Sequence, residues 1–195
     1  MYLEKITKLI PVPEFPVCTG DSQQYKQVIE QLGIELPQDY FMLISKYGLG
    51  IFLDCITIYN PYTDNKYYNL FNAINTERAI YNDSKAFFEF DKNNQHPKIV
   101  EFNKKQMKLS GASGVGYPFN FYPEKNGLIP CGTWDSAYMF YWNTASNPWS
   151  IIVYGEDEFY FEYDMCITEF LFKLFTNDIS IGGDILEQKP CFECF

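Results

Sequence analysis

The chain has 195 residues, 47% of them hydrophobic and 19% aromatic, enough apolar surface for a buried core, and this excludes general disorder. Its formal charge of −10 opposes phosphate backbones and anionic membranes, so the expected partner is no nucleic acid and no membrane but something basic. No run approaches 18 apolar residues, so no transmembrane helix is expected. The opening "MYLEKITKLIPVPEF", broken by Glu4 and two prolines, has no secretory pattern and predicts a cytoplasmic protein.

Residues 1–20 are rich in proline and read as an irregular N-terminal segment. From Ser22, Tyr25, Val28, Ile29 and Leu32 recur at helical spacing until Gly33, which predicts an amphipathic helix. Pro37 suits the first position of a second helix, whose face carries Tyr40, Leu43, Ile44 and Tyr47 before Gly48 stops it. "IFLDCITIY" (51–59) reads as one strand. Residues 69–83 read as helical, and 98–109 fit a strand or a helix. "DKNNQHP" between them and "SGASGVGYP" (110–118) read as loops. From Leu128 the runs "LIPCGT", "AYMFYW", "SIIVYG" and "EFYFEY" predict four short strands separated by turns. In "DMCITEFLFKLFTN", Ile167, Phe170, Leu171, Leu174 and Phe175 form a helical stripe with Asp164 as the expected N-cap. Helices, then meandering strands, then a helix predict an α+β fold. Its mainly antiparallel β-sheet is packed by N-terminal helices and a C-terminal helix in a single domain.

The chemistry-bearing residues do not assemble into a catalytic pattern. The six cysteines, at 18, 55, 131, 166, 191 and 194, imply no disulfide framework without a secretory context. Cys191 and Cys194 form a C-x-x-C, but a zinc site wants a second such pair and a redox site opens a helix after a strand. It reads as a frayed tail. His96 is the single histidine. A triad would have to use it, and its place in a polar loop reads as ordinary. Glycines 111, 114 and 116 run in the reverse of the dinucleotide fingerprint. Glu156, Asp157 and Glu158 form the densest acidic run, between two predicted strands. They read as a solvated turn or an acidic tip for a partner, whereas Asp54, Asp135 and Glu169 are isolated acids. No catalytic residue, cofactor or metal ligand is assigned, and the expectation is a binding protein, not an enzyme.

Two segments carry a resemblance. "LGIELPQDYFMLISKYGLGIF" places Leu36, Pro37, Asp39, Tyr40, Tyr47, Gly48 and Gly50 in the pattern L-P-x-D-Y, apolar helix, Y-G-x-G. Downstream, Pro123, Gly127, Leu128 and Gly132 precede Trp142, Pro148 and Trp149, and Thr168, Glu169, Phe170 and Leu171 follow on the closing helix. In this order the segments resemble the SUKH (Smi/Knr-like) superfamily over about 21–60 and 117–177. Residues 21–177 are then the SUKH-like α+β domain, and 178–195 a C-terminal tail. In the turn after Gly132 the chain departs from the family: Ser136 and Ala137 stand where an Asn-Gly-like pair is usual.

The resemblance implies an antiparallel sheet packed by the terminal helices and, in bacteria, an immunity protein. Such a protein neutralises a cognate toxin, here expected to be a basic, nuclease-type domain, and acts as a monomer or weak homodimer. Fungal relatives imply an alternative, a non-catalytic scaffold regulating cell-wall synthesis, and a hydrolase is a further alternative. The three tryptophans divide accordingly. Trp142 and Trp149 occupy family positions and read as core, whereas Trp134 lies in the departing turn and reads as exposed beside Asp135. The expected partner-binding residues are Trp134, Asp135, Glu156, Asp157 and Glu158.

Overall fold

Helices and strands alternate in blocks, and the sheet is antiparallel throughout, so the fold is α+β as expected. The computed structural model describes residues 1–94, 97–116, 118–155, 159–181 and 190–195. The first element corrects the reading of 1–20 as irregular: Tyr2–Leu9 is a helix, α1. Its prolines all come later, at 11, 13 and 16, while Leu3 and Ile6 form a short apolar stripe that is buried. Eight residues are marginal as an isolated helix, so packing against the rest of the chain is what holds α1.

α2 (Ser22–Leu32) begins at a capping box, with Asp21 accepting from the Gln23 and Gln24 amides, and ends at Gly33 in the left-handed region. α3 (Gln38–Tyr47) follows Pro37 and buries Tyr40, Leu43, Ile44 and Tyr47. Tyr40 donates its hydroxyl to the Tyr59 carbonyl at 2.7 Å, and Tyr47 to the Ile10 carbonyl at 2.6 Å. Gly48 leaves the helix at φ 69°, where a Cβ would run into the Val17 carbonyl.

The segment 51–59 is not one strand but a hairpin, β1 (Gly50–Phe52) and β2 (Ile56–Ile58). Leu53 and Asp54 turn the chain at φ 55° and 59°, and the Cys55 amide donates back to the Phe52 carbonyl at 3.1 Å. Both central residues at positive φ match the twist of the flanking strands. Neither is Gly or Asn, so the turn lacks the usual two-residue hairpin signature.

α4 (Leu70–Asn94) extends through the start of the expected 91–97 loop, and α5 (Pro97–Ser110) is a helix where strand or helix was open. Gln95 and His96 lie outside the described residues. β3 (Gly114–Val115) interrupts the expected 110–118 loop, then β4 (Leu128–Trp134), β5 (Tyr138–Asn143), β6 (Ser150–Gly155) and β7 (Phe159–Tyr163) follow as predicted. After α6 (Ile167–Phe175) comes β8 (Phe192–Cys194). The strand order is β3-β7-β6-β5-β4-β2-β1-β8.

The end of the chain is therefore not a frayed tail. β8 pairs with β1, Gly50 opposite Cys194 and Phe52 opposite Phe192, and the Phe192 ring packs on Tyr47 and Phe52. Extended chain separates Cys191 from Cys194 by roughly 10 Å, beyond the roughly 7 Å that a disulfide tolerates between Cα atoms.

One face of the sheet packs on α3 and α6, with Ile129, Phe140, Trp142, Ile151 and Val153 in one core with Tyr40, Phe170, Leu171 and Leu174, and α1 packs on those two helices. α4 lies over the opposite face, where Tyr81, Phe121, Tyr141 and Tyr154 form a second cluster. The α6 N-terminus is not capped by Asp164. Asp39 of α3 does this work across the fold: its Oδ2 accepts from the Thr168 amide at 2.9 Å and the Thr168 hydroxyl at 3.0 Å. Leaving that buried amide unpaired would cost about 1–3 kcal/mol. Among the described residues, no helix is long and apolar enough to cross a membrane.

Candidate protein-binding site at the hairpin end of the sheet

Two tight turns stand side by side at one end of the sheet. β2 pairs with β4 with Ile56 opposite Trp134, so the Leu53–Cys55 turn adjoins the turn after Trp134. The Asp135 amide donates to the Cys55 carbonyl at 2.9 Å and joins them. In the second turn Asp135 and Ser136 hold φ at 47° and 60°, and the Ala137 amide returns to the Trp134 carbonyl at 2.9 Å. The positive-φ pair is thus 135–136, one position before the Ser136–Ala137 pair singled out in the sequence. Thr133 staples the turn: its hydroxyl accepts from the Ser136 amide at 3.2 Å and donates to the Tyr138 carbonyl at 3.1 Å. These bonds hold two non-glycine residues where glycine is the easier choice.

Trp134 is not the fully exposed aromatic that the sequence suggested. It is half-buried at the margin of the main core and stacks on Tyr138, with centroids 5.2 Å apart and planes at 23°. The pairing of Trp134 with Tyr138 across the hairpin puts both rings on one face. Asp135 is exposed, as expected, and Asp54 is exposed on the neighbouring turn. From the sequence alone Asp54 is an isolated acid within a strand. Its cue was its position, a single Asp midway along a nine-residue apolar run.

Glu156, Asp157 and Glu158 lie outside the described residues. Gly155 and Phe159, on either side of them, close β6 and open β7 at this same end, and Gly155 pairs with Tyr138. The strand pairing therefore brings Trp134, Asp135 and Asp54 together.

The thiols here are not activated. Burial pushes Cys55 up to about 11, with Asp135, Asp54 and Cys191 adding to it and the Trp134 side chain working the other way. Cys191, whose Sγ lies 3.6 Å from Asp54 Oδ1, is also raised, first by burial and then by Asp54. Both stay protonated near neutrality and are poor nucleophiles. Among the described residues, no group of three His, Cys, Asp or Glu side chains could hold a metal ion.

The two tryptophans that carry the resemblance divide as well. Trp142 is core, edge-on to Tyr40 at 4.9 Å, but Trp149 is only half-buried, tilted against Trp142 at 6.4 Å. Residues that carry the resemblance build the fold: Gly132 lies so close to the Thr57 carbonyl that a Cβ would stand 2.6 Å from it, and Asp39 joins the L-P-x-D-Y segment to Thr168. No protein-family model, no curated protein and no solved structure matches the chain.

Proposed function

We propose that this chain is an immunity protein of the SUKH (Smi/Knr-like) kind, a non-catalytic inhibitor that binds a basic toxin domain through the hairpin end of its sheet. The observation that carries the reading is the Trp134–Tyr138 stack flanked by exposed Asp54 and Asp135 on two turns tied together through the backbone. A half-buried aromatic beside carboxylates is what anchors interfaces with basic partners. The net charge of −10 speeds encounter with a nucleic-acid-binding domain and opposes nucleic acid itself. The Asp39–Thr168 link also supports the family reading, because it joins two of the motifs on which the resemblance rests.

The test is calorimetric titration of the chain with the basic toxin domain encoded beside its gene. Binding is expected at 1:1 and weakens as salt rises from low to physiological ionic strength. Trp134→Ala weakens it by about 2 kcal/mol, roughly 30-fold in Kd. Asp54→Asn with Asp135→Asn slows association and flattens the salt dependence. Absence of binding at low salt, or equal affinity for the parent and both variants, removes the proposal.

A further inference from the structure

The cleft between α2 and α3 has no part in the toxin reading and lies on other elements. It encloses about 260 Å³ between residues 19–22 at the α2 N-terminus, the outer side of α3, and Tyr62. Its walls are aromatic. The Tyr25 and Phe41 rings meet edge to face, centroids 4.0 Å apart at 86°, and Tyr62 adds a third wall. Gly20, at φ 70°, lies against the Tyr62 ring so closely that a Cβ there would run into it, so the loop braces this wall.

Asp21 adds a carboxylate. The Gln23 and Gln24 amides both donate to its Oδ1 at 2.8 Å, which leaves Oδ2 without a partner among the described residues. No lining residue is basic. Burial, then Tyr25 and Asp21, push the Tyr62 phenol up, and burial, then Glu35, push up Tyr25. Both phenols are therefore neutral at physiological pH, in a field set by acids. Perpendicular electron-rich rings beside a free carboxylate oxygen attract a cation.

We infer that this cleft receives a lysine side chain from a protein partner, its ammonium against Tyr25, Tyr62 and Asp21 Oδ2 and its methylenes along Phe41 and Met42. The volume suits one long side chain and falls below the roughly 300–1,000 Å³ of pockets for larger ligands. Lysine fits better than arginine because one free carboxylate oxygen serves a point charge, whereas a guanidinium prefers a two-oxygen fork. A chain-borne lysine fits better than a free amine because Gln38, at the rim, has a side-chain amide without a partner among the described residues that a peptide backbone can bond.

The experiment is an NMR titration of the full chain with Nα-acetyl-lysine amide, with the norleucine, arginine and n-butylamine analogues as controls. Saturable shifts of the Tyr25 and Tyr62 ring signals are expected with Kd on the order of 1–10 mM, as small ligands allow. The controls bind at least several-fold more weakly. Asp21→Asn keeps the helix cap, since Asn caps as well as Asp, and so keeps the melting temperature while lowering affinity about fivefold or more, as loss of a charge-assisted contact implies. Tyr62→Leu acts in the same direction. Shifts that still rise linearly at roughly 100 mM, ten times the top of the expected range, overturn the inference. Equal binding of the norleucine analogue overturns the cation, equal binding of the arginine analogue the choice of lysine, and equal binding of n-butylamine the protein-borne source. Because no toxin enters this titration, its failure and the failure of the immunity reading are separate results.

Discussion

Tyr141 and Trp142 are neighbours on β5, each 1% exposed, and they face opposite sides of the sheet. Trp142 meets Tyr40 and Trp149 among helices, and its indole N–H has no hydrogen-bond partner among the described residues. Tyr141 packs edge-on to Phe121 at 5.6 Å, and its hydroxyl donates to Glu77 of α4 at 2.7 Å. Equal burial thus conceals two ways of holding a residue. On the α1–α3–α6 face, shape and apolar area hold the ring firmly enough to tolerate an orphaned donor. On the α4 face a hydroxyl–carboxyl bond takes part, and a titratable group enters the fold with it.

The largest expected effect breaks the first way of holding. Trp142→Ala costs about 3–5 kcal/mol, read as a fall in melting temperature of roughly 6–20 °C. A cost under about 1 kcal/mol, below what large-to-small core changes show, would mean that area does not hold this face. Asp39→Ala comes next, at about 1–3 kcal/mol, because it strands the Thr168 amide and hydroxyl on that same face. Denaturant unfolding measures it, and an unchanged midpoint would show that water or Cys166 replaces the carboxylate.

The smallest effect sharpens the contrast through pH. Burial raises Glu77 above its ordinary value of 4.5, and the Tyr141 hydroxyl partly offsets this. The folded chain therefore keeps the Glu77 proton to a higher pH than the unfolded chain, so this group's contribution to stability falls as pH rises from about 4.5 through the folded value. Tyr141→Phe costs about 1 kcal/mol, less in acid than at neutral pH, since only the ionised carboxyl misses the donor strongly. Glu77→Gln removes the dependence, so its stability relative to the parent rises over the same range. Parallel pH profiles for parent and both variants would show that Glu77 does not titrate in a buried setting.

The strands from Leu128 to Tyr163 and the helices at 22–32, 38–47 and 167–175 were legible because apolar periodicity and turn residues agree there. What escaped was built by tertiary contact. β8 is three residues long and exists by pairing with β1, while β3 is two residues lying along β7. The β1–β2 hairpin turns on Leu53 and Asp54, of which Leu53 is buried, so core packing overrode the usual turn chemistry. Of the candidate site, Trp134 and Asp135 were recognisable from composition and position. Asp54 joined them only when β2 and β4 paired, and the half-burial of Trp134 depends on its stack with Tyr138, a partner that strand register alone supplies.

The Asp39–Thr168 bonds close a span of 129 residues. As the chain leaves the ribosome, the carboxylate on α3 must wait for α6 before it meets its amide, and every described strand except β8 is synthesised in the interval. A fold sealed this late assembles slowly, as one that depends on distant pairings does. A stalled or truncated chain lacking α6 keeps its apolar helix faces open to water. Neither half of such a chain is a spare part: α3, made early, is also among the last segments to be finished.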